Sequence, residues 1–534
     1  MHTLDTADDA GLPGAFRLVL DPGTLAPAGG AVLLGGTPFR LVRLAPAEAA
    51  AVRRWQAGEP VGDDPADRAL ARALVTANLA QPVPPAWTPD QHGAPPPVGV
   101  TGTGHAASSG PVALTALTRS QSPPAPPPSA PVTVVIPLRD HAAALRRLLA
   151  SLDTDAAVGT VVVVDDGSRD PGAVADVAAA FGARLVARPS SGGPGAARNA
   201  GAALAETPLV AFVDADCAPA PGWLEALLPH FADPHVAVVA PRVVAGGGDG
   251  SLLARYEAAR APYDRGPAPA RVAPGGRVPF LPGAAMVVRT AALGAGFDAS
   301  LRGGEDVDLV WRLAAAGFDV RYEPAARVAH AHRTAARDWL ARRVFYGAAA
   351  APLARKHPGA ARPLALSPWS AAAWLAVGLG RPVTGVGITA VAAGLLAREL
   401  RASVPGAAAL AGRLAGLGTL WSGRVVADAL VRTWWPVAVA GALRSARLRR
   451  VMAAAALAGP LLDWRAERPP IDPLRWTALR LLDDAAYGWG VWRGCLRART
   501  LDPLRPDLAW RMRTCTGAEL VRAGDPGARG QTFR

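Results

Sequence analysis

Carboxylates follow two apolar runs of the sequence and are the residues best suited to chemistry. Asp165 and Asp166 come after four valines in VVVVDDGS, and Asp214 and Asp216 come after LVAFV. The first pair can accept hydrogen bonds from a nucleotide base or a ribose, although Asp and Gly also simply cap turns. Side chains alternate along extended backbone, so Asp214 and Asp216 can point the same way. Two hard oxygen ligands on one side suit Mg²⁺ or Mn²⁺ on a diphosphate.

A third acidic group stands before an apolar run in GGEDVDLVWRL, where Glu305, Asp306 and Asp308 fall within four positions. Acids at a helix start are stabilised by the helix dipole, and a rigid helix start is also a good mount for a general base. We take Asp306 as the first candidate for the base and Glu305 as the second, with Asp308 a solvated or hydrogen-bonding neighbour. Gly303 and Gly304 would let the backbone approach an acceptor closely. Three apolar residues are expected to anchor this helix in the core: Leu309, Trp311 and Leu313.

The glycine-rich stretch SSGGPGAARNAG, residues 190 to 201, is a candidate phosphate loop. It lacks GxxxxGK[ST], and the only lysine of the chain is Lys356, so a Walker A loop is excluded. No GxGxxG follows the first apolar strand either, which argues against a dinucleotide site. A helix starting near Pro194, with Arg198 one turn in, would suit a diphosphate.

Two histidines alternate in VAHAHR, at His330 and His332. A metal ion already held by Asp216 could take one of them as a further ligand. The competing interpretation is a surface histidine pair.

These residues need a sheet to bring them together. From VTVVIP at residue 132 to about residue 350, fully apolar strand-like runs alternate with helical patterns. This arrangement predicts a buried parallel sheet between helices and therefore an α/β fold. Ligands of such sheets bind at the carboxyl ends of the strands, which is where the acidic motifs fall.

Segments of different composition flank this unit. Residues 1–91 contain three short strand patterns and two helical patterns, the size of a winged helix, and suit binding or scaffolding better than catalysis. Residues 92–131 are rich in Pro, Gly and Ser and predict a linker. Residues 351–534 are mostly helical, and 369–397 carry a single charge, Arg381. That stretch is long enough to span a membrane, but a re-entrant, interfacial or buried helix pair fits equally well. A basic stretch further on, ALRSARLRRV, suits contact with anionic lipid.

Composition bounds the remaining possibilities for this 534-residue chain. The formal net charge of +13 is carried by scattered arginines without a basic block, so a nucleic-acid partner is not expected. Three cysteines form no CxxC and cannot build a disulfide framework, which favours a reducing cytoplasm. The acidic first residues, MHTLDTADD, lack the pattern of a signal peptide. We therefore expect a cytoplasmic protein, with a possible contact to the inner face of the membrane.

The ordered motifs VVIPLRD, VVVDDGS, GGPGAARNAG, VDADC, FLPGAAMVVR and GGEDVDLVWRLAAAGF resemble the inverting GT-A glycosyltransferases of family 2, over residues 132 to 335. The resemblance implies a Rossmann-like nucleotide-diphospho-sugar transferase, with Asp306 or Glu305 as the base and Asp216, with Asp214, on a divalent metal. Its expected nucleotide-sugar contacts are Pro137, Asp140, Asp165, Asp166, Gly193, Arg198 and Asp214. The chain departs from the family where PLRD replaces a common aromatic–Asn pair. It also lacks a clear QxxRW motif, whose place RDWLARR only loosely occupies.

The N-terminal stretch GFRLVLDP…GTPFRLVRLAPAEAAAVRRWQAGE is similar to the PqqD-type peptide-recognition winged helix. That unit joined to a family 2 transferase resembles the glycosyltransferases of the mycofactocin system. The resemblance implies transfer of glucose from UDP-glucose to a peptide-derived redox cofactor, building a β-1,4-linked chain. Two rival hypotheses remain: a silent peptide-binding module, and a membrane-associated transferase acting on a lipid-linked or cell-envelope glycan.

Overall fold

The computed structural model describes residues 11–85, 132–332, 335–508 and 513–524. The predicted linker at 92–131 lies outside these ranges. The three strands and two helices predicted for the N-terminal unit are present, but a fourth strand forms where the second helical pattern was expected to continue. Its strands are β1 (Arg17–Leu20), β2 (Val32–Gly35), β3 (Arg40–Arg43) and β4 (Ala80–Val83), and its helices are α1 (Pro46–Gln56) and α2 (Pro65–Thr76).

The first half of the central sheet is parallel, as predicted. Strand β5 is flanked by β6 and β8, and β6 pairs with β7, all in parallel register. Helices cover both faces, and fully buried valines and leucines fill the two layers between helices and sheet. The elements are β5 (Val132–Leu138), α3 (Ala142–Leu152), β6 (Val158–Asp165), α4 (Pro171–Ala180), β7 (Arg184–Ala187), α5 (Pro194–Ala202) and β8 (Leu209–Val213).

The second half of the sheet is mixed, which corrects the prediction of a wholly parallel sheet. Strand β12 runs antiparallel to both of its neighbours, β8 and β10, and β10 is parallel to β13. The Pro-Gly loop before β12 lies beside the end of β8, where Asp214 N donates to Ala284 O at 2.9 Å. The reversal therefore brings Gly283 to the edge where the parallel strands end. The elements are β9 (Cys217–Pro219), α6 (Trp223–Leu227), β10 (Val236–Gly246), α7 (Leu252–Ala259), β11 (Ala270–Arg271), β12 (Ala285–Arg289), α8 (Glu305–Ala315) and β13 (Asp319–Ala331).

A long helix joins the catalytic unit to the C-terminal helices. Helix α9 (Ala336–Lys356) contains the domain boundary expected at 350 to 351, so the chain continues through that point without a break. Glycines let α9 and α15 approach closely, because a Cβ at Gly347 would lie 2.0 Å from Tyr487 O. The other helices of the region are α10 (Pro368–Gly378), α11 (Pro382–Leu400), α12 (Ala407–Arg432), α13 (Trp435–Arg444), α14 (Ala446–Glu467) and α15 (Pro473–Ala498).

The apolar stretch at 369–397 is not one continuous helix. It is divided between α10 and α11, which begins at Pro382, because proline cannot continue a preceding helix. Within the described residues, α11 and α12 are each long and apolar enough to cross a membrane, and little of either is buried. Length and composition alone support that statement.

The end of the chain returns to the N-terminal unit, which the sequence did not predict. Strand β14 (Arg513–Thr516) pairs in parallel with β3, and helix α16 (Gly517–Gly524) follows it. Leu520 is 3% exposed and belongs to the core that α1 and α2 form. Arg72 of α2 then joins this unit to the catalytic sheet through buried ion pairs with Asp233 at 2.7 Å and Asp319 at 3.1 Å. The N-terminal unit thus docks at the start of β13, away from the end of that strand that carries His330.

Candidate active site

Asp166 organises the glycine-rich loop. Its carboxylate accepts hydrogen bonds from Ser191 Oγ at 2.7 Å, Gly192 N at 3.0 Å and Gly193 N at 2.9 Å, and from the Arg188 guanidinium. Gly193 has φ +90°, a conformation that favours glycine, and precedes α5 directly. Both carboxylate oxygens are therefore engaged in holding the loop, so this carboxylate shapes the nucleotide-sugar pocket expected here.

The remaining predicted nucleotide contacts lie beside it. Asp165 is buried and accepts from Ser168 N at 2.9 Å. Asp140 is exposed, has φ +65°, and accepts from Arg169 N at 2.6 Å. Pro137 is partly exposed in β5, adjacent in register to the end of β6. The structure thus brings Pro137, Asp140, Asp165 and Asp166 to one edge of the sheet.

Arg198 links the acidic motifs to one another. Its Nη1 donates to Glu305 Oε1 at 2.7 Å, and its Nη2 donates to Asp214 Oδ1 at 2.8 Å and Gly283 O at 3.1 Å. The guanidinium is buried, and buried charge requires paired charge. The sequence predicted that Arg198 would contact a diphosphate. In this structure its guanidinium binds two carboxylates instead.

Asp306 is the partly exposed carboxylate of the ED pair. Its Oδ2 accepts from Gly283 N at 2.6 Å, whereas Glu305 is buried against Arg198. Burial and the neighbouring Glu305 charge raise the pKa of Asp306 to about 6, against the opposing effects of Arg198 and of the Gly283 N–H. At pH 7 such a group is still mostly ionised and is a stronger base than an ordinary aspartate.

Asp308 is not solvated, contrary to one of the two expectations for it. It is fully buried and bound by Arg312 at 2.8 Å, His357 Nε2 at 2.9 Å and Lys356 at 3.0 Å. Burial opposes its ionisation, but these hydrogen bonds hold its pKa well below the usual value. Asp308 therefore fastens the helix that carries Asp306 to the end of α9. Leu309, Trp311 and Leu313 are buried, as predicted.

The candidate metal ligands meet at the other side of Arg198. Asp214 to Cys217 form a tight turn, closed by a hydrogen bond of 3.0 Å from Cys217 N to Asp214 O, so the extended geometry expected for the DxD pair is wrong. The strand has ended at Val213. Asp216 Oδ1 nevertheless lies 3.4 Å from His330 Nε2, close to the spacing of adjacent ligands about 2.1 Å from one ion. Asp214 is bound to Arg198.

Two neighbours fit a metal less well. His332 Nδ1 lies 3.5 Å from Glu257, and among the described residues His332 is not grouped with Asp216 and His330. Cys217 is grouped with Asp216 and His330, but burial raises the pKa of its thiol well above the usual value. The donor set that suits Mg²⁺ or Mn²⁺ is therefore Asp216 and His330, with Asp214 adjacent.

The sequence did not predict the residues of α9 that lie beside the candidate metal ligands. Tyr346 and Arg342 of α9, with Tyr263, line a small pocket that also includes Asp216 and His330. The Tyr263 and Tyr346 hydroxyls are hydrogen-bonded, and the Tyr263 ring packs edge-on against His330 at 5.0 Å. The sequence signal that could have revealed these residues is RDWLARR, whose Trp339, Arg342 and Arg343 line the same pocket.

The α/β sheet, with the ED pair at a helix start and Asp216 and His330 beside the strand ends, is that of a GT-A glycosyltransferase. The model of the family described as Glycosyl transferase family 2 matches residues 133–296. The pre-mycofactocin glycosyltransferase of Mycobacterium tuberculosis (strain CDC 1551 / Oshkosh) is 38% identical over 512 residues, which cover 93% of this chain and 98% of the relative. The protein of the same description from strain ATCC 25618 / H37Rv matches equally well. The chain belongs to the pre-mycofactocin glycosyltransferases, a group of enzymes within family 2.

Solved structures are more distant. A mannosyltransferase from Pyrobaculum calidifontis, in complex with GDP-Man and Mn²⁺, shares 21% identity, with a TM-score of 0.34, and the match covers 69% of this chain and 92% of that one. Glucosyl-3-phosphoglycerate synthase from Mycobacterium tuberculosis, in complex with Mn²⁺ and UDP, shares 23% identity, with a TM-score of 0.30, over 43% of this chain and 80% of that one.

Proposed function

We propose that this enzyme transfers glucose from UDP-glucose to the peptide-derived mycofactocin precursor, with inversion, and extends it as a β-1,4-linked chain. The single observation that carries the chemistry is the Asp306 carboxylate. It is partly exposed, held by Gly283 N at a helix start, and has a raised pKa. Membership of the pre-mycofactocin glycosyltransferases supports the acceptor class.

A divalent cation, Mg²⁺ or Mn²⁺, fits beside this base. Asp216 and His330 would hold it, with Asp214 near, and the 3.4 Å between Asp216 Oδ1 and His330 Nε2 suits two adjacent ligands. Once bound, the ion would offset the negative charge that grows on the leaving diphosphate.

The reaction is one in-line displacement. Asp306 takes the proton from an acceptor hydroxyl as the acceptor oxygen forms a bond to the anomeric carbon and the bond from that carbon to the diphosphate oxygen breaks. UDP departs with the bonding electron pair, so the anomeric configuration inverts and no covalent enzyme intermediate forms. Arg198 neutralises Glu305 and Asp214, which leaves Asp306 as the more accessible base of the ED pair.

The full chain, assayed for UDP release with UDP-glucose and a panel of other nucleotide sugars, tests the donor. We expect metal-dependent transfer from UDP-glucose and a β-1,4 linkage in the product by NMR. Preference for another donor, or an α-linked product, would contradict the proposal. Comparing the small-molecule pool by mass spectrometry with and without the gene tests the acceptor.

A second candidate is a membrane-associated transferase acting on a lipid-linked or cell-envelope glycan from the cytoplasmic face. Its support is the apolar helices α11 and α12, which expose Val383, Val386 and Leu420. Flotation of the chain with vesicles of phosphatidylglycerol, and labelling of a lipid fraction by donor sugar, would favour this candidate. Labelling confined to water-soluble products would exclude the lipid acceptor.

For the N-terminal unit we propose a bracing role. The edge of β3, where an extended peptide would add as a strand, is paired with β14, and the opposite face of β2 and β3 packs on Leu400 and Val404 near the α11–α12 turn. Peptide binding at the β3 edge would require β14 to leave it.

A further inference from the structure

An exposed aromatic ring lies beside the glycines that precede Glu305. Phe345 of α9 is 40% exposed, although the helix buries Trp339, Gly347 and Leu353. The ring lies against Gly303, where a Cβ would be only 2.7 Å from Phe345 Cζ. The two glycines before Glu305 therefore make room for α9, because Gly304 likewise faces Leu353. Phe345 therefore covers Gly303, whose backbone the sequence predicted would be open to an acceptor.

The ring is close to the base. The ring contacts Gly303, which precedes Asp306 by three residues at the start of α8. The neighbouring Tyr346, whose ring centre is 6.0 Å from that of Phe345, bonds Tyr263 beside the candidate metal ligand His330. Helix α9 thus runs from the metal side of the cleft to the side of the base.

We propose that Phe345 is a stacking platform for the terminal pyranose ring of the glucan chain that the enzyme extends. This inference rests on the proposed function and adds the recognition of the acceptor. A β-linked glucopyranose carries its hydroxyls equatorially, so its two faces present C–H groups that pack on an aromatic ring. Stacking on the sugar removes the exposed face of the phenyl ring from water, which stabilises the complex. A flat ring also leaves the hydroxyl edge of the sugar directed toward Asp306.

The test uses the full chain with UDP-glucose as donor and cellobiose as acceptor, following UDP release. Phe345→Ala is expected to raise the KM for cellobiose about tenfold, the loss expected for removing one stacked aromatic contact. Phe345→Trp should keep the wild-type KM within about threefold, because it restores a flat ring. The KM for UDP-glucose, and UDP-glucose hydrolysis without acceptor, should not change. Trp489→Ala, on α15, removes another exposed aromatic ring and serves as the matched control.

The outcomes separate the two proposals. A wild-type enzyme that transfers no glucose from UDP-glucose contradicts the proposed function. A wild-type enzyme that transfers normally, with Phe345→Ala showing an unchanged KM for cellobiose, overturns the platform. Saturation-transfer NMR with cellotetraose and UDP gives a second readout that needs no turnover. Equal saturation of the sugar by the wild type and Phe345→Ala, or none by the wild type, also overturns the platform.

Discussion

Replacing Asp306 by Asn should abolish transfer and at the same time stabilise the protein. Asn keeps an oxygen that can accept from Gly283 N but cannot take a proton at neutral pH. Loss of a positioned base costs typically 10² to 10⁴ in rate. Because the carboxylate pKa is raised from 3.8 to about 6, its ionised form is strained in the folded site. At about 1.4 kcal/mol per pKa unit, discounted for partial exposure, the substitution should stabilise by on the order of 1 to 3 kcal/mol at pH 7.

The sign of the pH dependence follows from the same shift. The folded protein holds the Asp306 proton more tightly than the unfolded chain, so this group lowers stability as pH rises from about 4 to about 6. Activity moves the opposite way, because the base must be ionised. The transfer rate should fall as pH drops through about 6, and Asp306→Asn should remove the Asp306 contribution to both effects.

The assay is UDP release between pH 5 and 8, with thermal unfolding of both proteins at pH 7 and pH 4.5. We expect the unfolding temperature of Asp306→Asn to exceed that of the wild type by a few degrees at pH 7, and the difference to shrink at pH 4.5. UDP-glucose binding should remain. Near-normal transfer by Asp306→Asn would refute the assignment of the base. An Asn variant less stable than the wild type at pH 7 would refute the electrostatic reasoning.

Four further substitutions test the rest of the site and its support. His330→Ala should weaken Mn²⁺ binding and transfer about 10-fold or more, whereas His332→Ala should leave Mn²⁺ affinity near wild type; equal losses in a Mn²⁺ titration would contradict the ligand choice. Arg72→Met removes the arginine partner of the buried Asp233, whereas Asp319 keeps Arg271 and Arg321, and should cost about 3 to 5 kcal/mol, seen as early melting of the N-terminal unit by hydrogen exchange; unchanged protection there would be evidence against the docking contact. Leu520→Ala should destabilise the same unit by roughly 2 to 5 kcal/mol, and an unchanged unfolding temperature would mean that α16 does not complete its core.

The sequence was sufficient to predict the position of the acidic motifs. A run of four valines before Asp165, and LVAFV before Asp214, have the composition of strands buried on both faces, and such strands pair in parallel between helices. The carboxyl ends of β5, β6 and β8 must then share an edge, so the acids there had to be neighbours. The anchoring of Trp311 and the start of α8 at Glu305 followed from helical spacing in the same way.

What could not be predicted depends on contacts between distant parts of the chain. The direction of β12 is fixed by its loop beside Asp214, and AMVVR reads as a strand in either direction. The pairing of β14 with β3 joins residues more than 450 positions apart, and RTCT has no apolar pattern that points to a partner. Arg312 is near Asp308 in sequence, but the Lys356 and His357 contacts that bury this carboxylate arrive from another helix.

Arg198 shows how contacts between distant parts of the chain can engage a residue that its local sequence predicts for another role. An arginine one turn into a helix after a glycine loop has the position of a phosphate ligand, and local sequence contains nothing against that role. In the folded chain the same guanidinium meets Glu305, Asp214 and the carbonyl of Gly283, none of which is near it in sequence. Arg198 thus pairs with Glu305 and Asp214 while Asp306 stays partly exposed, and this difference is the basis for proposing Asp306, rather than Glu305, as the base.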